Sequence, residues 1–167
     1  MTSQRNKASF RDPSGFIFHR DDLIFRQVNL SYKENYDDLM NSGLYQALVD
    51  AELLIPHKEV NVESLDPEKA LRVIQPEPIA FISYPYEWCF TQLKDAALAT
   101  LKIQRKALDF GMSLKDCSAY NIQLRNGKPI FIDTLSFEKY REGQPWVAYK
   151  QFCQHFLAPL TLMSYKD

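Results

Sequence analysis

Apolar and polar positions alternate along GFIFHRDDLIFRQV, from Gly15 to Val28, with charges at the centre; this period of two predicts a β-hairpin turning at Arg20-Asp21-Asp22. Phe16, Phe18, Leu23, Phe25 and Val28 are its expected buried residues. The period then lengthens to that of a helix: Tyr36, Leu39, Met40, Leu44, Leu48 and Leu53 or Leu54 recur on one face. Ser31 with Glu34 three positions later makes a capping-box pattern at its start, Asn29 or Asn35 are the alternative starts, and Ser42-Gly43 marks a break. Pro56 ends this region. A short strand is expected over 59–62, a loop at Asp66-Pro67-Glu68, and two strands over 71–74 and 79–83 with Gln75-Pro76-Glu77-Pro78 between them.

Beyond the connector Tyr84-Pro85-Tyr86-Glu87-Trp88 the pattern predicts the longest helix, over 90–110. Leu93, Ala97, Leu101 and Leu108 make its apolar stripe, Lys94, Lys102 and Arg105 fall largely elsewhere, and Gly111 suits its C-terminal end. Strand-like runs over 114–124 and 129–133 flank Arg125-Asn126-Gly127-Lys128, whose Asn-Gly is a strong hairpin signal. A turn at Arg141-Glu142-Gly143-Gln144-Pro145 leads into an aromatic helix from Trp146 towards Phe156, which Pro159 should end or kink. The tail LAPLTLMSY is so rich in core-type residues that we expect the chain to be the front part of a longer protein.

Composition narrows the functional classes. A chain of 167 residues with 46% hydrophobic and 13% aromatic content suits an ordered globular protein. Its formal charge of −1 supplies no basic surplus for phosphates, so no nucleic-acid partner is expected. No apolar run approaches the roughly 20 residues that cross a bilayer, and MTSQRNKASFRDPSG lacks a signal-peptide core; the expectation is a cytoplasmic protein without a membrane partner. Cys89, Cys117 and Cys153 fit reduced thiols rather than a disulfide framework, and His19, His57 and His155 have no zinc-ligand spacing.

Candidate chemistry concentrates in LKDCSAYNIQLRNGKPIFIDTLSF, residues 114–137. Asp116 is followed five residues later by Asn121, then by a short hairpin whose second strand ends in Asp133. With the order hairpin, helix, two strands, connector, long helix, polar loop and hairpin, this resembles the protein-kinase-like fold over roughly residues 12 to 160. The resemblance implies an α+β protein: a small antiparallel sheet lobe with one helix over 1–83, then a hinge and the first part of a helical lobe over 84–167. It implies that Asp116 takes or orients the proton of an attacking hydroxyl, that Asn121 and Asp133 hold Mg2+, and that Arg26 and Lys115 stand at cofactor-binding positions for ATP. An Arg at position 26 could pair with Glu34, Asp37 or Asp38.

The pattern also departs from the family. Leu114 and Lys115 replace the usual His and Arg before the catalytic Asp; Gly15 stands alone where a G-x-G-x-x-G loop belongs; Arg26 replaces the sheet lysine. His19-Arg20-Asp21 copies the catalytic tripeptide, but Arg26 occupies the place of its Asn and the tripeptide lies in a hairpin turn. Each site residue also has a plain structural reading, Asp116 as a turn residue, Asn121 as a strand-edge amide and Asp133 as a cap. Cys117 is expected to be a quiet thiol, and FISYPYEW is expected either to line a ligand cleft or to pack between lobes.

SGLY, LLIPH, FISYPYEW, QLKDAAL, LKDCSAYNIQ, FIDTLSFE and PWVAYKQFCQHFLAPL resemble the N-terminal region of bacterial proteins labelled SAM-dependent methyltransferases, nodulation proteins of the NoeA type among them. This resemblance implies a SAM-binding domain beyond the present residues, because no glycine-rich strand-turn-helix motif for SAM occurs here. Three functions follow: an ATP- and Mg2+-dependent phosphotransferase acting on a small-molecule or glycan hydroxyl; a non-catalytic substrate- or partner-binding module of a methyltransferase; or a structural domain whose polar triad is turn chemistry.

Overall fold

The computed structural model describes residues 3–5 and 12–165, so most of the polar N-terminal stretch lies outside the described residues. The chain is α+β, and its described residues form two compact units: those up to Asp37 with Pro56–Pro78, and Asp38–Ile55 with the residues from Ile79 onward.

The first unit is a five-stranded antiparallel sheet. Its strands are β1 (Ser3–Arg5), β2 (Gly15–Arg20), β3 (Leu23–Asn29), β4 (His57–Glu59) and β5 (Ala70–Pro76), in the order β1-β2-β3-β5-β4. The expected hairpin is β2–β3, in register from Gly15↔Val28 to Arg20↔Leu23, and its two-residue turn puts Asp21 at φ 50° and Asp22 at φ 65°. Aspartates tolerate that left-handed pair, whose twist matches the strands. Phe16, Phe18, Phe25 and Val28 are buried as expected, and the first three pack with Val73 of β5. Leu23 is exposed, because it sits beside the turn at the end of the strand where no layer covers it.

Other local signals were overruled. The chain enters its first helix through a single 3-10 turn, Leu30–Tyr32, and Ser31 forms no capping box: its Oγ donates to Pro13 O at 2.7 Å. The strand expected over 59–62 is β4, two residues earlier, paired with β5 from His57↔Pro76 to Glu59↔Ile74. Gln27, fully buried on β3, donates through Nε2 to Asp66 O and accepts from Asp66 N, and so ties the expected 66–68 loop to the sheet.

His57 predicts a pH dependence. Tyr36 Oη lies 3.4 Å from its Nε2 and donates to Glu59 Oε1 at 3.0 Å. Burial, opposed by Glu59 and assisted by Arg26, pushes the His57 pKa down from 6.5 to about 4. The unfolded chain therefore binds more protons between those values, so stability is full above about pH 6.5 and falls as pH drops towards 4. At 1.36 kcal/mol per pKa unit the loss is roughly 2–3 kcal/mol. Urea midpoints at pH 7 and 4.5 should show it, and His57→Asn should flatten the difference.

The second unit is mostly helical. α1 (Lys33–Asn41) runs into it and is followed at Gly43 (φ 86°) by α2 (Leu44–Asp50), the expected break. Leu39, Leu44, Leu48 and Leu54 enter one core with α3 (Phe90–Asp109). Of the stripe expected on α3, Leu93 and Ala97 are buried, but Leu101 and Leu108 are exposed; Ala96, Thr100, Ile103, Gln104 and Ala107 are buried instead. Residues 93, 96, 97, 100, 103, 104 and 107 follow the helical period, whereas the bulkier 101 and 108 drift off that face.

Three further expectations change. Residues 79–83 are not a strand: they have no sheet partner, and Phe81 and Ile82 are exposed. The run 114–124 is broken. β6 (Met112–Leu114) pairs with β9 (Phe137–Lys139), a loop and the 3-10 turn Ala119–Asn121 follow, and only then does β7 (Ile122–Arg125) pair with β8 (Lys128–Phe131). The Asn126-Gly127 hairpin forms as expected, with both residues at positive φ. Pro159 does not end the last helix. α4 (Tyr149–Phe152) passes through a π-helical turn, Cys153–Leu157, into α5 (Ala158–Ser164), which carries Pro159 in its first turn. Among the described residues no helix is long and apolar enough to cross a membrane.

Candidate functional site

Three polar segments of the second unit meet at Ser136, which is buried. Its carbonyl accepts from Lys115 N at 2.8 Å, its Oγ accepts from Asn121 Nδ2 at 3.4 Å, and its N–H donates to Asp133 O at 3.3 Å. The Asn121 carbonyl also accepts from Ile132 N at 2.8 Å, so the start of β7 and the end of β8 hold Asn121 and Asp133 side by side. The β7–β8 hairpin thus brings the backbone at Asn121 close to that at Asp133.

Asp116 is fixed from another side. Its Oδ1 accepts from Ser118 N at 3.0 Å and from Gln151 Nε2 at 2.8 Å, while Gln151 Oε1 accepts from Cys117 N at 2.6 Å. One amide of α4 therefore clamps both Asp116 and the backbone beside it. Among the described residues both hydrogen bonds fall on Oδ1, and Oδ2 is left over. His155, one helical turn beyond Gln151, receives Ala119 N on its Nδ1 at 3.3 Å with Ser118 Oγ at the same distance. Trp146 Nε1 donates to Leu114 O at 2.8 Å, ahead of the loop.

Asp133 also caps the 3-10 turn Thr134–Ser136, its Oδ1 accepting from Leu135 N at 2.8 Å, as its structural reading expects. Asn121 spends its Nδ2 on Ser136, which directs its carbonyl oxygen elsewhere. Asp116, Asn121, Asp133 and Lys115 are all half-buried. Among the described residues no three His, Cys, Asp or Glu side chains are grouped to hold a metal, so a cation at this place would need Asn121 and oxygens from its ligand as well. Arg26 belongs to the first unit. It is buried on β3 and its Nη2 meets Asp12 Oδ2 at 3.3 Å, an acceptor in the turn before β2 that the helix acids Glu34, Asp37 and Asp38 did not suggest.

Cys117 is fully buried and its Sγ donates to Ala148 O at 3.4 Å. Burial, then the neighbouring Asp116 and Cys153, push its pKa up to about 12. At pH 8 iodoacetamide should therefore leave Cys117 unmodified in the native protein while labelling the exposed Cys89, an outcome read by peptide mass mapping.

Sequence reasoning missed Gln151, His155, Ser136 and Trp146. Gln151 and His155 did leave a signal, two polar residues four apart on one face of the aromatic helix WVAYKQFCQHF. Ser136 left none, since its role comes from three segments meeting. A cavity of about 700 Å3 elsewhere in this unit is lined by Gln104, Ser113, Tyr140 and Trp146 among others, and none of the five candidate site residues lines it.

No family model matches the chain. It is 41% identical over 165 residues to nodulation protein NoeA of Rhizobium meliloti (strain 1021), a match that takes in 98% of this chain and 34% of that protein. The chain thus spans about a third of the length of the curated relative it matches.

Proposed function

We propose that this chain is a kinase-like module that binds ATP with Mg2+ and transfers phosphate to a hydroxyl on a small molecule or glycan. The observation that carries the reading is the hairpin that brings the Asn121 and Asp133 backbones close, with the Asn121 side chain bonded to Ser136 Oγ and Asp116 clamped by Gln151. The residues fit the ion: the Asn121 carbonyl oxygen and the Asp133 carboxylate are hard oxygen donors of the kind magnesium takes, and phosphate oxygens would complete its shell. Bound there, the ion would neutralise phosphate charge. Asp116 Oδ2 would accept or orient the proton of the attacking hydroxyl, with Gln151 and Ser118 fixing the carboxylate through Oδ1. Lys115, next to Asp116, would give the phosphates positive charge in place of a glycine-rich loop, which the sequence lacks. The strand order β1-β2-β3-β5-β4, with helices between β3 and β4 and the long α3 ahead of the polar loop, supports the same reading.

Calorimetric titration of ATP, with and without Mg2+, tests it. Saturable binding that requires the ion is expected; no binding in either condition would sink the proposal.

A second reading is favoured by the relative's length. If the natural protein extends as that relative does, this module is a non-catalytic substrate- or partner-binding region of a larger bacterial enzyme, with SAM chemistry in a domain beyond the present residues. A part in nodulation, which the relative's name states of that protein, would belong to the whole chain. Nucleotide binding without phosphate transfer would favour this reading.

A further inference from the structure

Next to the polar loop the second unit carries an exposed row of aromatic side chains. Phe81, Tyr84 and Tyr86 on the connector and Tyr120 on the loop are all open to solvent, Tyr86 to 74%. The Tyr84 and Tyr86 rings lie parallel, 5.5 Å apart at 5°. Tyr120 meets the His155 ring edge-on at 6.4 Å and 82°, and the bonds between Ser83 and Gln123 tie the connector to the strand that follows Tyr120. Tyr120 is also the residue before Asn121.

The backbone under this row is held in place. Ser83 N donates to Gln123 Oε1 at 3.0 Å, Gln123 Nε2 donates to Ser83 O at 3.1 Å, and Trp88 Nε1 donates to Ser83 Oγ at 2.9 Å, all buried. Tyr84 N donates to Glu87 Oε2 at 2.7 Å and closes the turn that carries the two parallel rings. The connector buries Trp88 in the core and leaves Phe81, Tyr84 and Tyr86 outside on a backbone that these bonds hold fixed, as in a pre-organised binding surface.

Chemistry selects the occupant. Residues 79–93 contain no Lys or Arg, so nothing in the connector would neutralise an anion. The polar groups at its edges, Glu87 and the phenols, and Ser118 beyond Tyr120, are mostly acceptors or hydroxyls, suited to a neutral polyhydroxylated ligand. A pyranose ring with equatorial hydroxyls has flat C–H faces that lie on aromatic rings and a rim of hydroxyls that such groups bond. We propose that Tyr84, Tyr86 and Tyr120 form a carbohydrate-stacking subsite that delivers a sugar hydroxyl towards Asp116. The proposal rests on the kinase-like reading for the direction of delivery, but not for binding itself.

The test is an NMR titration of the chain with cellohexaose, a β-linked glucan with equatorial hydroxyls, at up to about 10 mM, which would saturate a millimolar site. Saturable shifts should appear at Tyr84, Tyr86 and Tyr120. Tyr86→Ala, at a position too exposed to threaten folding, should weaken the affinity roughly five- to tenfold, and Leu162→Ala on exposed α5 should leave it unchanged. Absence of shifts overturns the proposal. So do shifts at these tyrosines with ATP but none with the sugar, which would make the row a nucleobase seat. Concentration-dependent broadening of the same residues without ligand, abolished by Tyr86→Ala, would also overturn it in favour of a protein-docking surface. Sugar binding with no ATP binding would sink the phosphotransfer reading alone.

Discussion

Asp133→Asn should weaken magnesium-dependent ATP binding by about a hundredfold, roughly 2.7 kcal/mol, while leaving the protein as stable as the parent. The substitution separates the two tasks of this residue. Asn keeps a side-chain oxygen for Leu135 N and caps a helical turn about as well as Asp, so the 3-10 turn after it should survive. What it removes is the negative charge that a divalent ion needs. Asp133→Ala removes both, so it should lose the nucleotide and also about 1 kcal/mol of stability. If Asp133 is only a cap, Asp133→Asn should resemble the parent in every assay and Asp133→Ala should differ in stability alone. Calorimetry and urea unfolding on the two variants distinguish the cases.

Gln104→Leu should strongly destabilise the fold of the second unit, by about 3 kcal/mol in urea unfolding. Gln104 lies on the buried face of α3, where its Oε1 accepts from Leu114 N at 2.8 Å and its Nε2 donates to Ser113 Oγ at 3.0 Å. Leucine fills the same volume but leaves a fully buried N–H and a buried hydroxyl without their partner, at about 1–3 kcal/mol for each such group. Because Leu114 directly precedes Lys115 and Asp116, the damage should extend to the polar loop. Leu101→Ala, on the exposed side of the same helix, should stay within about 0.5 kcal/mol of the parent. A larger loss for Leu101→Ala than for Gln104→Leu would show that the sequence-derived stripe, and not the observed one, faces the core.

That comparison also shows why the fold was only partly legible. Where the signal is a turn or a glycine break, the chain obeyed it: Asp21-Asp22 and Asn126-Gly127 adopt the positive φ that two-residue hairpins need, and Gly43 breaks the helix where expected. Where burial depends on which layer arrives from elsewhere, hydrophobicity misled. Leu101 and Leu108 are more apolar than Thr100 and Gln104, yet the polar pair faces the core, Thr100 donating to Ala96 O of its own helix and Gln104 finding its partners on β6. Residues 79–83 have strand composition and no strand, since no neighbouring edge pairs with them and their one buried polar residue, Ser83, is bound by Gln123 instead. Pro159 was read as an end or a kink, and the helix continues past it through a π-helical turn just before it.

The candidate site divides in the same way. Asp116, Asn121 and Asp133 are visible as a spacing, and the hairpin turn that brings the backbones of the last two close is visible as Asn126-Gly127. Gln151, which fixes Asp116 from 35 positions away, and Ser136, where three segments meet, depend on tertiary contacts that no local window contains. Arg26 was assigned from its place on a strand, and the carboxylate it meets at Asp12 lies 14 residues earlier, in a turn rather than on the helix.

The central claim, a cation site at Asn121 and Asp133, is tested most directly by substituting Mn2+ for magnesium and mapping paramagnetic broadening of backbone amide signals in the presence of ATP. The account predicts broadening centred on Asn121, Asp133 and their neighbour Ser136, lost in Asp133→Asn. Broadening centred elsewhere, or none while ATP is present in excess, would contradict it.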